Sequence, residues 1–209
     1  MEKQFYLEQV NNYEEWYEKY PLAFQSKVQA IRIALPVGSK AKGIEIGLRT
    51  GKFASELGIT EGTESSVEMW QIASDRGIDV AFAEPERLPY KRSKYDFALM
   101  ADIGRIADLH QSIQEAKRVL KPNGILIMAF IDKNSDLGKS FEAMKLYGYH
   151  KDQKFYSVER VLNEIKRMGF KKVKVLQTIF HDPEDIKEPE IPKHGYGEGS
   201  YAVIRAIKR

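Results

Sequence analysis

The chain has 209 residues, 33 of them Lys or Arg and 30 Asp or Glu, and it contains no cysteine. This length suffices for one packed domain, and the formal net charge of +3 predicts no strong field for nucleic acid. The lack of cysteine excludes disulfides and thiolate chemistry, and we expect no metal site. No apolar run reaches the roughly 20 residues that span a bilayer, and the polar start is not typical of a signal peptide. We therefore expect a cytoplasmic protein with neither a membrane nor nucleic acid as a partner.

The first forty residues predict two helices. Aromatic side chains recur at steps of three and four along the first of them, at Tyr13, Trp16, Tyr17 and Tyr20. Pro21 should end this helix, and a second amphipathic helix is predicted over 22–35. The aromatic face has two interpretations: its rings pack on the domain, or the helix closes over a bound ligand.

The stretch over 43–54 predicts a strand, a turn and a helix in immediate succession. Its apolar first half is typical of a buried parallel strand, and the turn carries Glu45, Gly47 and Gly51. This order places free backbone N–H groups and the positive end of a helix dipole at the carboxyl edge of a sheet, where α/β proteins bind ligands. A dinucleotide fingerprint and a phosphate-binding P-loop both fail here, because their required positions hold Arg49, Lys52, Ile46 and Phe53.

Strand and helix patterns alternate through the rest of the chain. Further strands are predicted over 58–64, 77–83, 95–101 and 125–131, with helices between them, and a last pair over 172–180 and 200–207. Glu64 closes the second strand, seventeen positions after Gly47. An acid there holds the two ribose hydroxyls in nucleoside-binding α/β domains, whereas the alternative is an exposed loop glutamate. Alternating hydrophobic strands and helices predict a doubly wound, mostly parallel sheet.

Several of these segments resemble one family in order and spacing. Glu45-x-Gly47-x-Arg49-x-Gly51 resembles the acid-x-Gly-x-Gly-x-Gly loop of class I S-adenosylmethionine-dependent methyltransferases, with one substitution. Residues 95–100 (YDFALM) and 118–126 (RVLKPNGIL) are similar to the fourth-strand and fifth-strand signatures of that family. Glu86-x-Leu88-Pro89 is similar to its adenine-pocket segment. The resemblance extends over roughly residues 10–209.

The resemblance implies a fold, a cofactor and a site. The expected fold is a doubly wound, Rossmann-like α/β sheet of seven strands, the last antiparallel, with helices on both faces and N-terminal helices capping the site. One domain is expected over 1–209, composed of a helical cap (1–40), a cofactor-binding core (41–135), a lid or substrate segment (136–156) and a C-terminal helix and strand pair (157–209). The implied cofactor is S-adenosylmethionine, and its expected contacts are Glu45, Gly47, Arg49, Gly51, Glu64, Ser65, Glu84, Glu86, Leu88, Ala101, Tyr13 and Trp16.

The sequence departs from the family pattern in three segments that are expected to face the ligand. Arg49 replaces the middle glycine, Pro85 has no N–H to offer adenine, and Gly104-Arg105 stand where an apolar residue is commoner. The Arg49 side chain has three alternatives: it projects away, pairs with the cofactor carboxylate, or fills the pocket and pairs with Glu45 or Glu64.

Two hypotheses for function follow. The first is methyl transfer to a small molecule, with His150 as a candidate general base because histidine titrates near neutral pH, although a surface histidine is the simpler interpretation. The second is a catalytically inactive relative that keeps the fold as a binding module for a protein partner.

Overall fold

A single sheet organises the structure, a computed structural model that describes residues 12–38, 40–144 and 153–209. Within those ranges the strands are β1 (Gly43–Ile46), β2 (Glu61–Glu64), β3 (Asp79–Phe82), β4 (Tyr95–Ala101), β5 (Leu120–Ile131), β6 (Lys171–Thr178), β7 (Lys193–His194) and β8 (Tyr201–Ile207). They pair in the order β3-β2-β1-β4-β5-β8-β6-β7. Strands β1 to β5 are parallel, whereas β8 is antiparallel to both β5 and β6.

The doubly wound, mostly parallel sheet with an antiparallel last strand is confirmed, and the strand count needs correction. The sheet has eight strands and not seven, because the exposed pair Lys193–His194 adds a short edge strand to β6. Two polar residues in a loop give no alternating pattern that a sequence can reveal. The antiparallel pair of long strands at the end of the chain, β6 and β8, lies where it was predicted.

Helices cover both faces of the sheet. In the described residues they are α1 (12–19), α2 (Pro21–Ala34), α3 (Lys52–Leu57), α4 (Val67–Asp75), α5 (Leu109–Val119), α6 (Asp136–Ala143) and α7 (Val158–Arg167). Helices α1 to α4 pack on one face around Ile31, Leu99 and Val203, and α5 and α7 pack on the other around Ile113 and Ile165. Pro21 stands in the first turn of α2, where its missing N–H costs nothing, so it separates the first two helices as expected.

The predicted strand starts were less accurate than the strand ends. Strands β2 and β3 begin two or three residues later than expected, because Gly58 (φ 71°) caps α3 and Gly77 (φ 81°) follows the end of α4 in left-handed conformations. Strand β5 begins earlier, at Leu120, because an irregularity in its pairing with β4 absorbs the turn over 121–124. The described residues include no helix long and apolar enough to cross a membrane.

One carboxylate ties together the amino ends of three neighbouring strands. Glu61, at the start of β2, accepts hydrogen bonds from Lys94 Nζ at 2.7 Å and Tyr95 Oη at 2.8 Å, and it pairs with Lys42 Nζ at 2.5 Å. Burial tends to raise the pKa of Glu61, but these partners outweigh burial and lower the pKa from 4.5 to about 2. This acid is ionised and fully engaged at neutral pH.

Candidate functional site

The loop after β1 is fixed by its packing on β2. Leu48 is buried, and its N–H donates to the Thr63 carbonyl at 3.0 Å. A Cβ on Gly62 would lie 1.9 Å from Leu48 Cδ2, so the loop approaches β2 as closely as it does only because position 62 has no side chain. Gly47 and Gly51 have φ values of 68° and 78°, as a sharp strand-to-helix turn requires.

Arg49 takes a glycine-like backbone conformation and turns its side chain inward. Its φ is 58°, a left-handed value that is uncommon for residues other than glycine. The residue is only 9% exposed, and its guanidinium carbon lies 5.1 Å from the centre of the Tyr13 ring. Of the three alternatives for this side chain, projection away from the pocket is therefore wrong.

Glu64 holds the same loop from the side of β2. The residue is 5% exposed, and its carboxylate accepts three main-chain hydrogen bonds, from Arg49 N at 2.8 Å, Ser65 N at 2.9 Å and Ser66 N at 2.8 Å. Glu64 is thus not an exposed loop glutamate. Glu64 binds the main-chain N–H of Arg49. Ser65 likewise contacts Glu64 through its main-chain amide.

Glu45 is a buried acid with spare hydrogen-bonding capacity. Glu45 is 1% exposed, and its Oε2 atom has no hydrogen-bond partner among the described residues. Burial, together with the charges of Asp102 and Glu64, raises the pKa of Glu45 well above 4.5. The buried hydroxyl of Tyr201 on β8 likewise has no partner in the described part of the chain. Both atoms need a hydrogen-bonding group that the described residues do not supply.

Asp102 follows β4 and forms hydrogen bonds with side chains of helix α1. The hydroxyls of Tyr13 and Tyr17 both donate to its Oδ2 atom, the former at 3.4 Å. Glu14 of the same helix forms two ion pairs, with Lys52 at 3.0 Å and with Arg76 at 2.8 Å. Helix α1 is therefore held against the glycine loop by side chains on both of its flanks.

A cavity of about 370 Å³ opens between α1 and the carboxyl ends of β4 and β5. Apolar and aromatic side chains dominate its walls, with a few charged groups among them. In the described residues its lining is Asn12, Tyr13, Trp16, Tyr17, Lys27, Arg49, Asp102, Ile103, Gly104, Arg105, Phe130, Ile131, Phe141, Gln153, Lys154, Phe155 and Tyr156. A mostly apolar cavity with convergent polar groups is the usual form of a small-molecule site.

The structure brings some predicted site residues to this cavity and leaves others elsewhere. Tyr13, Trp16 and Arg49 line it, while Gly47, Gly51, Glu45, Glu64 and Ser65 form or brace the adjoining loop. On the loop after β3, Glu84 is exposed, and Glu86 Oε1 accepts from Asp108 N at 2.8 Å. Leu88 is buried in the core on the α5 side, and Ala101 pairs with Ala129 inside the sheet. The adenine-side residues thus do not line this cavity.

The sequence prediction missed Asp102, Lys27 and Tyr201 of the site. Asp102 had a signal, because an acid directly after a central parallel strand lies at the ligand-binding edge of the sheet. Lys27 and Tyr201 had none, since one is a lysine on an amphipathic helix and the other opens an apolar strand. His150, the candidate base, lies outside the described residues.

Comparison with known proteins gives a consistent result. A family model described as a methyltransferase domain matches residues 44–128. An uncharacterized Methanocaldococcus jannaschii protein is 38% identical over 94% of this chain and 95% of its own. A Thermotoga maritima crystal structure, described as a SAM-dependent methyltransferase and possible histamine N-methyltransferase, is 39% identical, covers 96% of both chains and has a TM-score of 0.91.

A more distant structure shares the fold alone. Phosphoethanolamine N-methyltransferase 2 of Haemonchus contortus, solved with phosphomonomethylethanolamine and S-adenosylhomocysteine, is 15% identical, with a TM-score of 0.63. The match covers 87% of this chain and 52% of that one.

Proposed function

The chain belongs to the class I S-adenosylmethionine-dependent methyltransferases, and we propose that the cavity beside Asp102 receives its methyl acceptor, a small molecule. The observation that carries this proposal is the position of the cavity. It lies at the carboxyl ends of β4 and β5, beside the glycine loop, and its volume suits a ligand of modest size.

The buried polar groups beside the loop fit the cofactor. Glu45 Oε2 and the Tyr201 hydroxyl are buried, unsatisfied by the described residues and close enough for their charges to interact. An ammonium group, such as that of the cofactor's amino-acid end, would satisfy both atoms and favour the ionised form of Glu45. Glu64 would hold the ribose, and Ser65, Gly47 and Gly51 would offer main-chain contacts.

Methyl transfer makes few chemical demands on the protein. The cofactor supplies a methyl group that its sulfonium already makes electrophilic, so this chain must mainly bind and align the acceptor and exclude water. The rings of Trp16, Phe130 and Phe155 would hold an apolar body, and α1, held at Asp102, would close the cavity from above.

The departures from the family pattern change the binding of the cofactor without removing its site. The inward Arg49 would pair with the carboxylate of the cofactor, which is the second alternative for this side chain. The buried Pro85 has no N–H for adenine, and one lost hydrogen bond costs roughly 1–3 kcal/mol, about one to two powers of ten in affinity. Such a loss weakens binding but does not abolish it.

Calorimetric titration tests this proposal. Purified protein, shown by mass spectrometry to carry no ligand, is titrated separately with S-adenosylmethionine and S-adenosylhomocysteine. We expect micromolar dissociation constants for both. Absence of heat and of thermal stabilisation at millimolar ligand would overturn the proposal and return attention to an inactive binding module with a protein partner.

A further inference from the structure

Lys27 is a buried cation inside the proposed acceptor cavity. The residue lies on α2, is 3% exposed and contributes to the cavity lining. Its Nζ atom lies 4.0 Å from the centre of the Trp16 ring, 4.8 Å from that of Tyr201 and 5.2 Å from that of Tyr17. Three aromatic faces from α1 and β8 thus surround one ammonium group.

The aromatic faces stabilise the charge of Lys27 but leave its N–H donors unused. Contacts with ring faces compensate part of the cost of burying a cation. An ammonium also has three N–H donors, and none of them forms a hydrogen bond or a close ion pair within the described part of the chain. Buried donors of this kind require acceptor atoms, and the remaining space next to Lys27 is the cavity.

We propose that Lys27 anchors a carboxylate, or an equivalent oxyanion, of a small ligand bound in this cavity. The inference rests on the proposed function and adds a chemical class to it. Among the described lining residues Asp102 is the one carboxylate, and it already accepts hydrogen bonds from Tyr13 and Tyr17. Lys154 lines the same cavity and donates to the Ala107 carbonyl, so the two lysines outnumber the single acid of the described lining.

The protonation behaviour of Lys27 agrees with this role. Burial lowers the pKa of Lys27 from 10.5 to about 8, and the nearby charge of Asp102 partly opposes this change. At neutral pH the side chain therefore remains mostly charged. A bound carboxylate adds a second negative charge and must raise this pKa, because an opposite charge favours the ionised form.

The carboxylate has two possible sources in a methyltransferase. One is the amino-acid end of S-adenosylmethionine, and the other is an acidic acceptor with an apolar or aromatic body. The charge of the described lining disfavours an acceptor that enters as a cation, such as the histamine associated with the Thermotoga maritima relative.

The primary test follows Lys27 itself with the smallest carboxylate. Lysines labelled with ¹³C at Cε are titrated with pH by NMR, and the Lys27 signal is assigned from its absence in Lys27→Met. We expect sodium acetate, raised to several hundred millimolar, to shift the Lys27 pKa upward in a saturable manner. Sodium chloride at equal ionic strength and methylammonium chloride should not. No saturable shift with acetate, or an equal one with chloride, would overturn the proposal.

Calorimetry then identifies the source of the carboxylate. S-adenosylhomocysteine and its decarboxylated analogue are titrated into the wild type, Lys27→Met, Lys27→Arg and the control Lys19→Met, whose lysine also lies over a ring but is exposed. If the cofactor is the source, Lys27→Met weakens S-adenosylhomocysteine about tenfold or more, spares the analogue and is partly rescued by Lys27→Arg. An equal loss for both ligands would indicate that Lys27 only shapes the cavity, and would overturn the proposal.

If Lys27→Met leaves the affinity for both cofactor ligands unchanged, the acceptor is the source. In that case, protein loaded with S-adenosylhomocysteine should bind imidazole-4-acetate about tenfold more tightly than histamine, which carries an ammonium in place of the carboxylate, and Lys27→Met should remove the difference. Tighter binding of histamine would overturn the proposal. A protein that binds no S-adenosylhomocysteine refutes the proposed function, whereas the acetate titration still decides the role of Lys27.

Discussion

The amino and carboxyl edges of the sheet hold their glutamates in opposite ways. At the amino edge, Glu61 has three partners from neighbouring strands, and its pKa is lowered to about 2. At the carboxyl edge, Glu45 on the adjacent strand keeps one oxygen without a partner in the described residues, and burial raises its pKa. The same residue type thus stabilises the fold at one edge and keeps unused hydrogen-bonding capacity at the other.

This comparison indicates how stability and binding are divided within the protein. A carboxylate with satisfied hydrogen bonds contributes to folding, whereas one that waits for an external partner carries a cost that the rest of the fold must cover. The carboxyl edge also holds the Tyr201 hydroxyl, which has no hydrogen-bond partner in the described ranges, and lies beside Lys27, whose ammonium contacts aromatic rings. The same substitution at the two edges should therefore change the free energy of unfolding in opposite directions.

The largest effect is expected at the amino edge. Glu61→Gln removes the charge that holds Lys42 and Lys94, and it should lower the free energy of unfolding at pH 7 by about 2–3 kcal/mol. Because the folded-state pKa is depressed from 4.5 to about 2, the contribution of Glu61 is present above pH 4.5 and is lost as the pH falls towards 2. Urea denaturation at a series of pH values measures this, with exposed Glu188→Gln as the control. A loss that is the same at acid and neutral pH would contradict the assignment.

The same substitution at the carboxyl edge should have the opposite effect on stability. Because burial raises the pKa of Glu45, its ionised form costs stability above the unfolded-state pKa, and Glu45→Gln removes this cost. We expect the free energy of unfolding at pH 7 to rise by up to about 1 kcal/mol while affinity for S-adenosylhomocysteine falls about tenfold. Denaturation and calorimetry on one preparation check both effects. Destabilisation equal to that of Glu61→Gln would remove the distinction between the edges.

The two departures in the cofactor pocket offer a test of intermediate size. Because Arg49 would pair with the cofactor carboxylate, Arg49→Gly should weaken the binding of S-adenosylhomocysteine about tenfold, even though glycine suits the left-handed backbone at this position. Pro85→Ala supplies the N–H that proline lacks and should strengthen binding about tenfold. Calorimetric titration of the two single variants measures both effects. Tighter binding by Arg49→Gly would mean that the arginine restricts the site and does not pair with the cofactor.

A second acid at the amino edge should matter least. Asp96 pairs with Lys121 at 2.9 Å and accepts from the Lys42 amide at 2.9 Å, but this ion pair is about two-fifths exposed. Asp96→Asn should therefore lower the free energy of unfolding by no more than about 0.5–1 kcal/mol in thermal or urea denaturation. A loss as large as that of Glu61→Gln would mean that the position at the amino edge, and not burial, determines how much stability is lost.

The fold was predictable because its determinants are local and repeated. The apolar strand over 95–101 and the helix stop at Pro21 have strong periodic or conformational signals. The site was less predictable, because its residues come from many segments that are far apart in the sequence. The sequence indicates Glu45 and Glu64 through their places at strand ends, but it gives no sign that Lys27 on α2 meets Tyr201 on β8. Such pairs depend on tertiary packing and have no local signature.

The place of β8 in the sheet imposes an order on folding. This strand comes last in sequence among the eight, yet it lies between β5 and β6 and supplies the pairing that joins them. During synthesis β6 leaves the ribosome before the strand that docks it, so β5 and β6 both keep an unpaired edge until residues 201–207 arrive. Tyr201 belongs to the same strand. The third aromatic ring therefore reaches Lys27 only when this last, long-range strand pairing has formed.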